Sequence, residues 1–141
     1  MPLWGGLAEG DLVVVDSAPL IYLLENHPEF SVLFGQLFEA HEKGLVQIAI
    51  STVALAGVLT GPLRHKQDAL AKRYENALAG FDLIPVTREI AVLAARLRAN
   101  TGLRLPDAIQ AATALETGAA ALVTHDRDFS KLKGLRILLG S

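Results

Sequence analysis

Short apolar runs alternate with helix-like stretches along this chain, and that alternation constrains the possible folds more than any other feature. Between the runs, apolar residues recur every three or four positions, which is the spacing of one face of an α-helix. Strands that are apolar throughout and separated by helices are typical of a parallel sheet with helices on both faces. The sequence therefore predicts a single α/β domain. Its five predicted strands are residues 12–15, 46–50, 83–86, 121–123 and 136–139.

Capping residues, glycines and prolines indicate where the predicted helices begin and end. A hydroxyl or carboxylate side chain can accept a hydrogen bond from the first free N–H groups of a helix, and glycine commonly follows its last turn. Pro62 is expected to interrupt a helix, because proline lacks the N–H group. The predicted helices are one starting near Pro19, one carrying Phe30, Leu33, Phe34, Leu37 and Phe38 and ending at Gly44, one capped by Ser51 or Thr52, one over residues 63–79, one from Thr87 to Gly102, and one from Pro106 to Gly118.

The composition excludes several classes of protein. The chain has 141 residues and is 51% hydrophobic, which fits one globular domain and excludes broad disorder. It has no cysteine, so disulfides and thiolate metal sites are excluded. A formal net charge of −2 provides no overall attraction for nucleic acid, although the basic cluster Arg64, His65 and Lys66 permits local contact with phosphate.

The beginning of the chain carries no recognisable targeting signal. It lacks the basic and long apolar regions of a signal peptide, and no apolar run is long enough to span a bilayer. We therefore expect a cytoplasmic protein that does not associate with membranes. Residues 1–141 are expected to form a single domain, with residues 1–11 as a loose extension before the first strand.

Three aspartates, Asp16, Asp107 and Asp126, lie at the ends of predicted strands or at the start of a helix. The carboxyl ends of parallel strands share one edge of a sheet, where ligands bind. Carboxylates that gather there repel one another, and a bound hard cation relieves that repulsion.

Each of the three aspartates also has a purely structural explanation. Asp16 can cap a helix, Asp107 suits a helix dipole, and Asp126 with Asp128 suits a turn. Their shared position favours a site.

Four neighbours of these aspartates are candidates for supporting roles. Ser17 and Thr124 could donate hydrogen bonds to Asp16 or to a bound water. Arg104 and Arg127 could contact a substrate phosphate or pair with the carboxylates. The sequence leaves both alternatives open for the arginines.

Three segments together resemble the motifs of one family. They are VVVDSAPLIYLLE at residues 13–25, LRLPDAIQAATAL at residues 103–115, and ALVTHDRDF at residues 121–129. They resemble the first, third and fourth acidic motifs of PIN-domain ribonucleases, in particular the VapC-type toxins of bacterial toxin–antitoxin pairs. The resemblance implies a three-layer fold on a five-stranded parallel sheet in the order 3-2-1-4-5. It also implies cleavage of single-stranded or structured RNA with Mg²⁺ or Mn²⁺, an antitoxin partner and a homodimer.

The same resemblance implies roles for the acids. Asp16, Asp107 and Asp126 would bind the metal and carry catalysis, and Asp128 would bind it in an auxiliary position. Oxygen ligands suit hard divalent ions, and the metal can activate water and neutralise the scissile phosphate. His125 beside Asp126 is expected to serve the turn rather than act as a base. Trp4 and Tyr22 are too isolated in the sequence to predict base stacking.

The second acidic motif of the family is incomplete in this chain. That motif resembles Ser-x-x-Thr-Leu-Ala-Glu-Val-Leu, whereas residues 51–59 read STVALAGVL, so Gly57 stands where glutamate is expected and Ala54 replaces a hydroxyl residue. Glycine supplies no ligand and costs about 1 kcal/mol against alanine within a helix. The metal site is therefore expected to be weakened. Alternatively, Gly57 could permit close packing of another helix.

Two other functions compete with a ribonuclease. Because of Gly57, the chain could be a catalytically degenerate PIN domain that binds RNA or an antitoxin without cleavage. A receiver-like signalling domain would also place aspartates at strand ends. That class needs an acceptor aspartate after the third strand, where this chain has Val86, Thr87 and Arg88, so the sequence disfavours it.

Overall fold

The computed structural model describes residues 3–140, and a five-stranded parallel sheet forms its centre. The strands are β1 (Leu12–Val15), β2 (Gln47–Ser51), β3 (Asp82–Ile84), β4 (Ala121–Val123) and β5 (Ile137–Leu138). They lie in the order β3-β2-β1-β4-β5, and every neighbouring pair is parallel. This confirms the predicted α/β fold and the strand order that the family resemblance implies.

Six helices cover the two faces of the sheet. They are α1 (Ser17–Leu24), α2 (Phe30–Glu42), α3 (Thr52–Arg64), α4 (Asp68–Leu78), α5 (Arg88–Thr101) and α6 (Leu105–Glu116). Helices α1 to α4 share one hydrophobic core with the sheet, and α5 and α6 share the other. None of these helices is both long and apolar enough to cross a lipid bilayer, in the part of the chain that the structure describes.

Burial on both faces explains why β1 is apolar at every position. Val13, Val14 and Val15 are all fully buried. Val13 and Val15 belong to the core beneath α1 to α4, whereas Val14 belongs to the core beneath α5 and α6. Successive side chains of a strand point to opposite faces, so a strand covered on both sides needs apolar residues throughout.

Side-chain caps begin the helices where the sequence indicates. The Oγ of Ser51 accepts a hydrogen bond from the backbone N–H of Ala54 at the start of α3 (3.1 Å). The Oγ1 of Thr87 accepts one from the N–H of Ile90 at the start of α5 (3.2 Å). Gly102 ends α5 with φ of 72°, a left-handed conformation that glycine adopts without strain. These three predictions are confirmed.

The predicted break at Pro62 is wrong, because α3 continues through this residue to Arg64. Proline removes one hydrogen bond from a helix and crowds the carbonyl four residues earlier. Pro62 is buried in the last turn, so few hydrogen bonds are affected, and its carbonyl accepts one from the N–H of Gln67 (2.8 Å). The chain turns instead at Lys66, whose φ is 58°, and the next helix begins at Asp68 rather than at residue 63.

The edge strands are shorter than predicted. The third strand was expected over residues 83–86 but ends at Ile84, because Pro85 follows and has no N–H group for the ladder. The fifth strand retains only Ile137 and Leu138 of its predicted four residues. Both lie at the edges of the sheet, where one side of the strand has no partner to extend the pairing.

The described part of the amino-terminal segment is packed against the domain, so the expected loose extension is wrong for residues 3–11. The indole Nε1 of Trp4 donates a hydrogen bond to the carbonyl of Leu33 (2.8 Å). Leu7 is 3% exposed, and the N–H of Gly10 bonds the carbonyl of Leu45 (2.7 Å). Burial of these apolar side chains stabilises the segment, and no periodic pattern in the sequence indicates it.

Candidate metal centre

The carboxyl ends of β1 and β4 lie side by side, and this brings two of the aspartates to one edge of the sheet. Val15 pairs with Val123, and the N–H of Asp16 then bonds the carbonyl of Val123 (2.8 Å). Asp126 follows β4 by three positions. Asp107 lies in the first turn of α6, which packs over this part of the sheet. The three aspartates therefore lie on elements that meet at this edge of the sheet.

Asp16 is buried, with 8% of its surface exposed, and both of its carboxylate oxygens accept hydrogen bonds. Oδ1 accepts from the backbone N–H of Ser17 (2.8 Å) and from Nε2 of Gln110 (3.2 Å). Oδ2 accepts from the hydroxyl of Thr124 (2.9 Å). Burial raises the pKa of Asp16, the bonds from Ser17 and Thr124 oppose that rise, and the charges of Asp107 and Asp126 add to it.

Asp107 is equally buried but has a charged neighbour at the surface. Its Oδ2 lies 3.3 Å from Nε of Arg104, whose side chain is 79% exposed. Burial raises the pKa of Asp107, Arg104 opposes the rise, and the charges of Asp126 and Asp128 add to it. An ion pair with one partner so exposed contributes little to stability. Arg104 therefore remains accessible to a ligand while it pairs with the carboxylate.

Asp126 and Asp128 lie in the turn after β4, and Thr124 anchors that turn. The N–H of Asp126 donates to the hydroxyl of Thr124 (3.0 Å), and Oδ1 of Asp126 accepts from the N–H of Asp128 (2.9 Å). Asp126 is half-buried, and Asp128 and Arg127 are exposed. The hydroxyl of Thr124 thus links the two aspartates that follow β1 and β4.

Both predicted hydrogen-bond donors bond Asp16. Thr124 donates through its side-chain hydroxyl, and Ser17 donates through its backbone N–H. The Ser17 side chain lies beside Gly57 on α3. A Cβ atom added to Gly57 would lie 3.4 Å from Cβ and 3.5 Å from Oγ of Ser17, which is ordinary van der Waals contact. Close packing therefore does not require glycine here, and a side chain at residue 57 would begin next to the residue that follows Asp16.

The donor set fits a hard cation that keeps part of its water shell. Among residues 3–140, no three histidine, aspartate or glutamate side chains are arranged closely enough to enclose a metal ion. Mg²⁺ needs only one or two protein carboxylates and retains several waters. Asp16 and Asp107 with Asp126 supply carboxylate oxygens of that kind, whereas zinc prefers nitrogen and sulfur ligands. The chemistry of the residues present therefore fits a hard divalent cation in an open site.

Two features of this region were missed or misjudged in the sequence. Gln110 is 2% exposed and contacts Asp16, and its only signal is a polar residue among the alanines of α6. Tyr22 is too isolated in the sequence to predict base stacking, but in the structure it has aromatic neighbours. The ring centroids of Tyr22 and Phe30 are 5.0 Å apart, and the hydroxyl of Tyr22 is 2.9 Å from Nδ1 of His125. Contacts between residues 103 positions apart leave no local pattern.

Replacing Thr124 with valine is expected to lower the free energy of unfolding by about 1–3 kcal/mol. Valine preserves the shape but leaves Oδ2 of Asp16 and the N–H of Asp126 without their shared partner. Urea unfolding measures the loss. Thr113→Val is the matched control, because Thr113 is equally buried and its hydroxyl bonds only the carbonyl of Ile109 in its own helix. An equal loss in both variants would contradict the role of Thr124.

Comparisons with known proteins agree with this architecture. The PIN domain family profile matches residues 13–135. One chain of a toxin–antitoxin complex from Klebsiella pneumoniae is 28% identical, with a TM-score of 0.72 over 92% of this chain and 98% of that chain. VapBC2 from Rickettsia felis, solved with a fragment of promoter DNA, is 19% identical, with a TM-score of 0.74 over 89% and 96% of the two chains.

A third similar structure is VapC20 of Mycobacterium tuberculosis, described as a toxin that cleaves the Sarcin-Ricin loop. It is 16% identical, with a TM-score of 0.66 over 84% of this chain and 92% of that chain. The two structures below 25% identity are similar in fold alone. No curated protein sequence matches the chain. The family profile covers most of the chain, and the chain therefore belongs to the PIN domain family.

Proposed function

We propose that this protein is a metal-dependent endoribonuclease and the toxin of a toxin–antitoxin pair, with activity reduced by Gly57. One observation carries the proposal: Asp16 and Asp107 are buried at the edge of the sheet, and burial together with the nearby charge of Asp126 raises the pKa of both. Carboxylates held in this way favour a bound cation, because it removes their mutual repulsion.

The surroundings of the residues support the roles that the proposal gives them. Asp16, Asp107 and Asp126 would hold Mg²⁺ or Mn²⁺, with Asp128 in an auxiliary position. When bound, the metal would activate a water and neutralise charge on the scissile phosphate. The donors to Asp16 oppose the rise in its pKa and fix the direction of its carboxylate. Arg104 and Arg127 are exposed beside the acids, where a guanidinium can contact phosphate oxygens.

RNA and an antitoxin are the partners we propose. The similar structures support both, because one is described as cleaving the Sarcin-Ricin loop and another as a toxin–antitoxin complex. Leu23 on α1 and Val32 on α2 are exposed by 37% and 74%. Apolar side chains on these helices suit contact with an antitoxin segment or with a second copy in a homodimer.

A binding module that does not cleave is the second candidate, and the absence of a carboxylate at Gly57 favours it. Incubation of the purified chain with a panel of single-stranded and structured RNAs in Mn²⁺ separates the two. We expect slow cleavage that EDTA stops. Binding of RNA or antitoxin with no cleavage of any RNA would favour the module instead.

Mn²⁺ is expected to raise the melting temperature at pH 7, by an amount equivalent to about 2.7 kcal/mol at a hundredfold excess over its dissociation constant. A raised carboxyl pKa means that the metal-free protein loses stability as the pH rises from the ordinary pKa through the raised one. Mn²⁺ binds the ionised carboxylates of Asp16 and Asp107, so its effect should vanish when the pH falls below that window.

Differential scanning fluorimetry over a pH series measures this effect. Asp16→Asn is the control, since it removes one ligand charge from the site. The same Mn²⁺-induced rise in Asp16→Asn would show that the ion binds elsewhere.

A further inference from the structure

The side-chain amide of Gln110 lies in the interior of the protein, between the end of β1 and the start of α3. Gln110 is 2% exposed and projects from the buried face of α6. Its Oε1 accepts a hydrogen bond from the hydroxyl of Ser51 (2.9 Å), and its Nε2 donates to Oδ1 of Asp16 (3.2 Å). A buried polar side chain is costly unless it is satisfied, and here both ends of the amide have partners.

Its partners permit only one orientation of this amide. The Oγ of Ser51 accepts from the N–H of Ala54 and donates its own hydrogen to Oε1 of Gln110. The carboxylate of Asp16 can only accept, so it must face Nε2. The opposite orientation would place the amide oxygen against a carboxylate oxygen. The two contacts therefore fix the amide from both ends.

This amide connects three elements. Asp107 lies three residues before Gln110 on α6, and positions three apart share one face of a helix. Ser51 begins α3, the helix that carries Gly57, and Asp16 follows β1. Gln110 thus joins the end of β1, the start of α3 and the helix of Asp107 by hydrogen bonds that run toward the Asp16 carboxylate.

We propose that Gln110 is a positioning residue for the metal centre. Gln110 holds the Asp16 carboxylate in the orientation in which the carboxylate would bind the cation. Gln110 also fixes the helix of Asp107 relative to that carboxylate. The role in metal binding rests on the proposed function, whereas the positioning of Asp16 does not. Partners of this kind behind a ligand commonly change metal affinity or activity by about 10- to 100-fold when they are removed.

Gln110→Met tests the proposal, because methionine keeps the length of the side chain and fills the same space without a donor or acceptor. Thr113→Val is the matched control: Thr113 lies on the same helix, is fully buried and does not contact Asp16. Isothermal titration measures Mn²⁺ affinity. We expect Gln110→Met to weaken it about tenfold. Thr113→Val should change it by less than about twofold, since it shares no partner with the site.

A second measurement on the metal-free protein separates positioning from metal binding. We expect the carboxyl carbon resonance of Asp16 at pH 7 to shift in Gln110→Met and to stay unchanged in Thr113→Val. Melting temperatures confirm that both variants fold. An unchanged Asp16 resonance in Gln110→Met would overturn the positioning role.

The measurement of Mn²⁺ affinity tests the role of Gln110 in metal binding. Equal Mn²⁺ affinity in wild type and Gln110→Met would overturn the role of Gln110 in metal binding. If neither the wild type nor Gly57→Glu binds Mn²⁺, the proposed function is refuted instead. The Asp16 resonance would then decide the positioning role by itself.

Discussion

Gly57→Glu is expected to raise Mn²⁺-dependent RNA cleavage by about 10- to 100-fold over the unchanged chain. The substitution places a carboxylate on α3 beside Ser17, next to the residue that holds three hydrogen bonds at the end of β1. The added Cβ makes only ordinary contact with Ser17, so the backbone does not need to move. An additional carboxylate can orient a metal-bound water or share the cation. Initial rates on the RNA most readily cleaved by the unchanged chain measure the gain.

Gly57→Gln separates the effect of the added carboxylate from the effect of replacing glycine with a residue that stabilises the helix. Glutamate and glutamine both stabilise a helix against glycine by up to about 1 kcal/mol, so both should raise the melting temperature. Only glutamate adds a ligand. Equal cleavage by the unchanged chain and Gly57→Glu would refute the view that Gly57 impairs the enzyme. Equal gains in both variants would assign the effect to helix stability.

Asp16→Asn is expected to reduce cleavage about a thousandfold, because a metal contributes several kcal/mol to the transition state and each 1.36 kcal/mol is about tenfold in rate. Both oxygens of Asp16 accept hydrogen bonds, from Ser17, Gln110 and Thr124. An asparagine side chain would present an N–H₂ group to some of these donors in place of an oxygen. The variant therefore loses both the charge and the directed acceptor.

The Gly57→Glu background makes this loss measurable, since its starting rate is higher. Asp11→Asn is the control: Asp11 lies before the opposite end of β1, where its Oδ2 accepts from the N–H of Ala8 (2.8 Å). We expect Asp11→Asn to keep the rate of its background. Cleavage that survives in Asp16→Asn would place the reaction outside this edge of the sheet.

The sheet and its acidic edge were predictable because they follow from local sequence. β1 is buried on both faces, so its burial appears directly as a run of valines that ends at Asp16. Thr124 and Asp126 follow β4 in the same way. Parallel pairing of β1 with β4 then brings these residues together without any further information from the sequence.

The contacts that shape the site were less predictable, because they join distant parts of the chain. Gln110 and Asp16 are 94 positions apart, and Tyr22 and His125 are 103 apart. The prediction at Pro62 failed for a different reason. The energetic cost of a proline within a helix depends on how much of the helix follows it, and only two residues of α3 follow Pro62. Trp4 and Leu7 lie outside any periodic pattern, so their burial could not be inferred from spacing.

Anomalous diffraction from crystals of the unchanged chain saturated with Mn²⁺ tests the central claim most directly. We predict an anomalous peak within coordination distance of an Asp16 oxygen and of an oxygen from Asp107 or Asp126. The same experiment on Asp16→Asn should give no peak there. The absence of any peak beside Asp16 at saturating Mn²⁺, or one that persists unchanged in Asp16→Asn, would contradict a metal centre at this edge of the sheet.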